Sequence, residues 1–275
     1  MNRKIGLFDS GLGGLSILKE LVKLLPNENY LFYEDSINNP YGQKSEDELL
    51  KIVDNAVKFL LKEDCKIIVI ACNTATTCCL KKLREMYPDT IFVGTVPAIK
   101  VAYDNNYKNT IILSTPYTMQ SSRVEELIHN YRRKDQNIIN ISGENLAHLI
   151  ELDNKIEIMS LLNRKLSKYK DVTDSLVLGC THYSLIKDEI QSILPNTVLL
   201  DGCVGVSNEV KHQLEEHKLL NNNSAGNIQI INSKDEKLVE RSFGILRSWW
   251  TIVFFNDIIV FNMEEDSYEN KKCNW

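Results

Sequence analysis

Along most of its 275 residues the chain alternates short apolar runs of strand length with longer segments of helical period. Strand candidates are 4–8, 30–34, 66–71, 91–94, 110–114, 138–142, 175–179 and 197–200. Helical patterns lie between them, as at Leu15–Leu25, Ser45–Lys62, Thr74–Tyr87, Ser121–Arg132 and Ser184–Ile193. The strand candidates are rich in Ile, Val and Leu without strict alternation, as expected when both faces of a strand are covered. A parallel sheet with helical crossovers satisfies this pattern. In such sheets ligands bind beyond the carboxyl ends of the strands, so the residues that close each apolar run carry the interest.

Two of those ends match. Cys72 closes Ile67-Ile68-Val69-Ile70-Ala71 and precedes Asn73-Thr74, while Cys180 closes Leu176-Val177-Leu178-Gly179 and precedes Thr181-His182. The thiols are 108 positions apart (180 − 72), and the polar ends at Asp9-Ser10 and Ser114-Thr115-Pro116 are offset by 106 (115 − 9). The expectation is an α/β protein of two pseudo-symmetric lobes, each a mostly parallel sheet covered by helices, with the active site in the cleft between them. Residues 1–96 would form the N-terminal lobe and 97–208 the C-terminal lobe, with 209–275 packing back on the first.

Composition narrows the function classes. A net charge of −5 without a basic stripe argues against nucleic acid, and Arg132-Arg133-Lys134 reads as a solvated helix end or turn. The Met1–Ile5 segment runs into a strand with no room for a signal peptide. Trp249–Phe261 is largely apolar, but its thirteen residues are interrupted by Asn256 and Asp257 and fall short of a membrane span of roughly 20. The seven cysteines lack both disulfide-framework and zinc-finger spacing. Free thiols in a reducing cytoplasm fit this usage.

Two thiols on opposite sides of a cleft suit one reaction in particular. Inverting a carbon acid takes a base on one face and an acid on the other, and a thiolate and a thiol can exchange those roles. Both cysteines would sit just ahead of a helix start, which lowers a thiol's pKa. His182 follows Cys180 by two residues, so in an extended segment both side chains share a face. Cys65, Cys78, Cys79 and Cys203 read as buried small hydrophobes. Phe8-Asp9-Ser10-Gly11-Leu12-Gly13-Gly14-Leu15 runs from a strand through a Gly-rich turn into a helix, a place where exposed N–H groups bind phosphate or carboxylate. Its spacing breaks the dinucleotide fingerprint, although Glu34-Asp35 keeps that alternative open. Asn39-Pro40-Tyr41-Gly42, ahead of the next helix, is a turn that can present amides and a tyrosine to the cleft.

DSGLGGLS, NPYGQKS, Leu149-Ile150-Glu151, IACNTAT and LGCTHYSLI together resemble the glutamate racemases of the cofactor-independent aspartate/glutamate racemase superfamily. The resemblance spans roughly residues 4 to 205. It implies that Cys72 and Cys180 are the acid/base thiols, the first acting on the D-isomer and the second on the L-isomer. Asp9, His182 and Glu151 would assist. Substrate would be held by Asp9, Ser10, Pro40, Tyr41, Gly42, Asn73, Thr74, Thr115, Thr118, Thr181 and His182, with no metal and no cofactor. The implied ligand is free glutamate, with D-glutamate supplied to peptidoglycan, no nucleic-acid or membrane partner, and an oligomeric state that varies among relatives, homodimers included.

Two features depart from the pattern. Ile141-Ser142-Gly143 stands where many relatives carry a Cys-Pro pair, with little consequence expected for catalysis, and the tail after about Arg247 has no counterpart. Other readings stay open from the residues alone. These are an aspartate or other amino-acid racemase, a small-ligand-binding protein without catalysis, a cysteine-nucleophile hydrolase, and a zinc site of Cys72, Cys180, His182 and Asp9.

Overall fold

The computed structural model describes residues 3–131, 133, 135–221 and 226–249, and the backbone of the short antiparallel pair Ile259–Val260 and Lys271–Lys272. Arg132, Lys134, Cys273 and most of the apolar stretch after Trp249 therefore lie outside the described residues.

The strands run β1 (Lys4–Asp9), β2 (Asn29–Glu34), β3 (Cys65–Ile70), β4 (Phe92–Gly94), β5 (Asn109–Ser114), β6 (Asn137–Ser142), β7 (Ser175–Gly179), β8 (Val198–Leu200) and β9 (Ile228–Asn232). The helices are α1 (Leu15–Leu24), α2 (Glu46–Lys62), α3 (Asn73–Met86), α4 (Ile99–Asp104), α5 (Pro116–Met119), α6 (Ser122–Tyr131), α7 (Leu146–Glu151), α8 (Lys155–Leu166), α9 (Lys187–Ile193), α10 (Cys203–Glu216) and α11 (Glu236–Trp249). All pairings among these nine strands are parallel.

The first sheet has the order β4-β3-β1-β2-β9, and the second, read from its other edge, β8-β7-β5-β6. Aligning β1 with β5, β2 with β6, β3 with β7 and β4 with β8 superposes the two orders. The molecule is thus a four-stranded unit used twice, with β9 added to one edge. Each sheet is covered on both faces, the first by clusters centred on Leu7, Ile67 and Phe32 and on Ile68, Ile70 and Leu60, the second by clusters centred on Leu113 and Leu178 and on Ile112 and Val177. Double coverage is why the central strands lack polar alternation.

Strand β9 is absent from the sequence expectation because its Gln229 and Asn232 dilute a short apolar run. Parallel pairing of Tyr30–Glu34 with Ile228–Asn232 makes it a strand. The chain returns to the first sheet with α10, whose Val206, Val210 and Leu214 join that core, so the crossing falls at Cys203 rather than at 209.

The acidic pair that suggested a ribose ligand serves the fold instead. Glu34 is fully buried; its Oε1 accepts from Ser242 Oγ at 2.5 Å and its Oε2 from Asn232 Nδ2 at 2.8 Å, tying β2 to β9 and α11. Asp35 accepts from Tyr41 Oη at 2.6 Å and from Asn38 Nδ2, holding the turn that follows β2.

Burial pushes the Glu34 carboxyl up to about 8 from an ordinary 4.5, against the lowering effect of its two hydrogen bonds. The folded state therefore keeps this proton where the unfolded chain has lost it, and the group's contribution to stability falls as pH rises from about 4.5 to about 8. In urea melts of wild type and Glu34→Gln, the stability of wild type relative to the variant should decline across that window and level off above it. A difference that does not change with pH would refute a buried ionisation at Glu34.

Candidate active site

The tips of β1, β3, β5 and β7 face one another across the cleft between the sheets. A cavity of about 250 Å³ opens there, lined from the first lobe by Ser10, Asn39, Pro40, Tyr41, Gly42, Gln43, Cys72, Asn73 and Thr74. The second lobe contributes Thr115, Pro116, Gly143, Glu144, Asn145, Ala147, His148, Cys180 and His182. Both matched cysteines reach it, one from each lobe.

Cys72 caps the start of α3, and the Ala75 N–H points at its sulfur. Burial and the neighbouring Asp9 carboxylate nevertheless push the Cys72 thiol well above its ordinary value, with the Ala75 N–H and the helix start offsetting only part of this. The lowering expected from a helix start is thus outweighed at Cys72. A dry site with a carboxylate beside the sulfur favours the neutral thiol. Asp9 lies behind the cavity wall, fully buried, and burial raises its pKa as well. Its Oδ2 accepts from Thr181 Oγ1 at 2.9 Å and its Oδ1 from the Ser10 N–H at 2.7 Å, and its carboxylate accepts from the Cys72 thiol.

Cys180 follows β7 directly, but the segment after it is a 3-10 helix over Thr181–Ile186, with α9 beginning only at Lys187. The contact with His182 thus does not arise from extended alternation; the tight 3-10 turn folds the ring back so that Nδ1 lies 3.8 Å from Cys180 Sγ. On its other side, His182 Nε2 lies 2.6 Å from Glu151 Oε1. Burial opposes a charged imidazole, yet hydrogen bonds to Cys180 and Glu151 and the charge of Glu151 hold the His182 pKa well above its ordinary value. Burial likewise works against ionised Glu151, but the His182 contact, the Leu12 N–H and Arg241 bring its pKa below the ordinary carboxylate value. Both shifts favour a charged His182 beside an ionised Glu151.

The Gly-rich turn has a different use from the one its sequence suggests. Its Leu12 N–H donates to Glu151 Oε1 at 2.8 Å, so the anion received there is a carboxylate of this chain rather than a ligand. A Cβ on Gly11 would stand 1.9 Å from that same oxygen. One on Gly13 would meet Thr181 Oγ1 at 2.5 Å, His182 Nδ1 at 2.6 Å and the His182 backbone nitrogen at 2.7 Å. These glycines let the first lobe close on the residues around Cys180.

The remaining expected residues divide in two. Ser10, Pro40, Tyr41, Gly42, Asn73, Thr74, Thr115 and His182 line the cavity, whereas Asp9, Glu151, Thr118 and Thr181 stand behind it. Thr74 Oγ1 lies 3.2 Å from Thr115 Oγ1 and 3.4 Å from Thr118 Oγ1, a hydroxyl cluster that joins the lobes. Asn73 Oδ1 is buried without a hydrogen-bond partner and lies in the wall of the cavity. Asn39, whose Nδ2 donates to the Ser10 carbonyl at 2.9 Å, is joined to Pro40 by a cis peptide bond.

Gln43, Pro116, the loop Gly143–Asn145 and the first turn of α7 (Ala147, His148) also line the cavity and lie outside the sequence expectation. The repeat could have located that loop, because β6 corresponds to β2 and the turn after β2 was already singled out. A Cβ on Gly143 would sit 2.1 Å from Tyr183 Oη, which donates to the Gly143 carbonyl at 3.1 Å.

Among the other thiols, Cys65, Cys79 and Cys203 are buried. Cys78 is half-buried, with its sulfur 3.9 Å from the Glu46 carbonyl and its pKa lowered to about 7 by a hydrogen bond with Cys79. It does not line the cavity. Among the described residues no group of three or more His, Cys, Asp or Glu side chains is arranged to hold a metal ion, and no helix is long and apolar enough to cross a membrane.

Two doubly covered parallel sheets, with Cys72 after β3 and Cys180 after β7 lining one cleft, match a class of isomerases in comparison with known proteins. Residues 28–205 match the Asp/Glu/Hydantoin racemase family, and the chain belongs to that family. A glutamate racemase of Clostridium botulinum is 39% identical over 254 residues, covering 90% of this chain and 98% of the relative. One from Clostridium acetobutylicum is 40% identical over 252 residues, covering 89% and 98%. Among solved structures, glutamate racemase from Francisella tularensis in complex with D-glutamate aligns with a TM-score of 0.80 at 27% identity, over 97% of this chain and 99% of that one. The Escherichia coli enzyme, in complex with L-glutamate and the activator UDP-MurNAc-Ala, aligns with a TM-score of 0.80 at 29% identity, covering 94% and 98%.

The close approach at Gly13 gives a direct test. Gly13→Ala should lower stability by about 1–3 kcal/mol, because one of the atoms it meets is backbone and cannot swing away. Thermal unfolding and the volume of the cleft in a crystal of the variant would check this. An unchanged melting temperature would mean the lobes are not held at this spacing.

Proposed function

We propose that this protein interconverts L- and D-glutamate by removing the α-proton with one thiolate and returning a proton from the opposite thiol. Cys72 and Cys180 are the two acid/base groups. The observation that carries this reading is that these thiols, from corresponding strands of two lobes, line one small cavity. At about 250 Å³ it lies just under the roughly 300–1,000 Å³ of drug-sized ligand sites, a scale suited to a small metabolite.

Asp9 serves Cys72 by taking its proton, and the His182–Glu151 pair serves Cys180. The imidazole, 3.8 Å from Cys180 Sγ, is placed to exchange a proton with that sulfur, as Asp9 is with Cys72. Asn73 Oδ1 supplies a buried acceptor for the substrate ammonium. The Ser10, Thr74 and Thr115 hydroxyls, with the first N–H groups of α3, bind carboxylate without a fixed cation that would pair with a thiolate. Water exclusion strengthens these bonds as negative charge develops at the α-carbon. The setting is a reducing cytoplasm, where free glutamate is drawn on and D-glutamate passes to peptidoglycan synthesis.

Racemisation of either enantiomer, followed by circular dichroism without added cofactor, should fall by at least ~10²–10⁴-fold in Cys72→Ala and in Cys180→Ala. Cys78→Ala should stay near wild type. In deuterated water the inverted product should carry deuterium at the α-carbon while recovered substrate keeps its proton. Near-normal turnover in either of the first two variants would end the two-thiol reading. Because the enantiomers have equal free energy, kcat/KM must be the same in both directions for every variant. The directional role of His182 should therefore appear in kcat and KM taken separately.

A further inference from the structure

Arg241, on α11, lies outside every motif the sequence singled out. Its guanidinium forks onto the last two residues of α7, with Nη2 donating to the Ile150 carbonyl at 3.0 Å and Nη1 to the Glu151 carbonyl. These carbonyls belong to a helix C-terminus, where acceptors lack intrahelical partners and a cation is favoured. The next residue, Ser242, is buried and donates to Glu34 at 2.5 Å in the first lobe. Val239, Phe243 and Leu246 of the same helix are packed in the first lobe's core. The backbone of α11 is thus rooted in one lobe while one side chain grips the other, at the residue whose carboxylate faces His182.

We propose that Arg241 is a positioning residue that fixes α7 so that the Glu151 carboxylate meets His182 Nε2 and the Leu12 N–H together. The inference rests on the proposed use of Cys180 and His182 as one acid–base unit and adds a residue to it. Glu151 Oε1 accepts from both partners, at 2.6 and 2.8 Å, so a small displacement of the end of α7 lengthens both bonds. Misplacement of about 1 Å in supporting residues can cost about a hundredfold in rate. The guanidinium also acts on the Glu151 carboxylate through its charge, in the same sense as His182. Lysine keeps that charge but cannot fork onto two carbonyls, whereas methionine keeps only the stem.

The test compares wild type, Arg241→Lys and Arg241→Met in the full chain. The first readout is the proton NMR resonance of His182 Nε2–H, assigned by its loss in His182→Asn, and the second is kcat/KM for glutamate. A bond of 2.6 Å places that resonance far downfield in wild type. Arg241→Met should move it upfield or lose it to solvent exchange, with kcat/KM lowered at least about tenfold, and Arg241→Lys should recover part of both. Wild-type turnover in Arg241→Met, or slow turnover with the His182 resonance unmoved, would overturn the proposal; the second result would reduce Arg241 to a stabilising contact. If Arg241→Met does not fold, Arg241→Lys decides alone, since an unmoved resonance in it refutes the need for the fork. If wild type racemises nothing, the functional reading fails while the resonance still answers for Arg241.

Discussion

The arrangement depends on one carboxylate oxygen. Glu151 Oε1 accepts from a backbone N–H of the first lobe and from an imidazole of the second, in a nearly water-free seam. An anion buried in this way is stable only if its partners come with good geometry, and each partner is rigid for its own reason. Leu12 sits in a turn whose flanking glycines admit the approach, and His182 sits in a 3-10 segment that ends a central strand. The contact that joins the lobes at Leu12 and the contact that favours the charged form of His182 therefore share one oxygen.

The second seam has the same logic with the roles exchanged. Asp9 belongs to the first lobe and stands beside Cys72, but its carboxylate is held by Thr181 of the second lobe. The first lobe thus reaches the His182 side through the Leu12 N–H on Glu151, whereas the second lobe holds Asp9 directly through Thr181. The environments of the two auxiliaries differ in sign: buried Asp9 is driven towards its neutral form, and His182 towards its cation. A site that is symmetric in its strands is thus asymmetric in the electrostatics of its titratable groups.

The architecture was legible to an unusual degree because both sheets are covered on both faces. Burial on two sides leaves runs such as Ile67–Ala71 and Leu176–Gly179 with no polar interruption, and the residue that ends each run is then conspicuous. The same rule explains what stayed hidden. Strand β9 is short and holds two amides, and it is a strand only because β2 offers it a parallel edge. The loop after β6 reads as an ordinary turn, and only the second use of the four-stranded unit brings it to the cavity opposite Asn39–Gly42.

By itself the sequence determined eight of the nine parallel strands, the pair of thiols closing two of them, and the family to which the chain belongs, because these depend on local burial and on spacing along the chain. Tertiary structure alone decided where the protons lie and who holds whom. The anion seated at the Gly-rich turn is Glu151, and burial with the neighbouring Asp9 pushes the Cys72 thiol up despite its helix. Arg241 acts across 90 positions on the end of α7. Each of these is a matter of desolvation and of contacts between distant segments, and neither quantity exists until the two lobes are packed together.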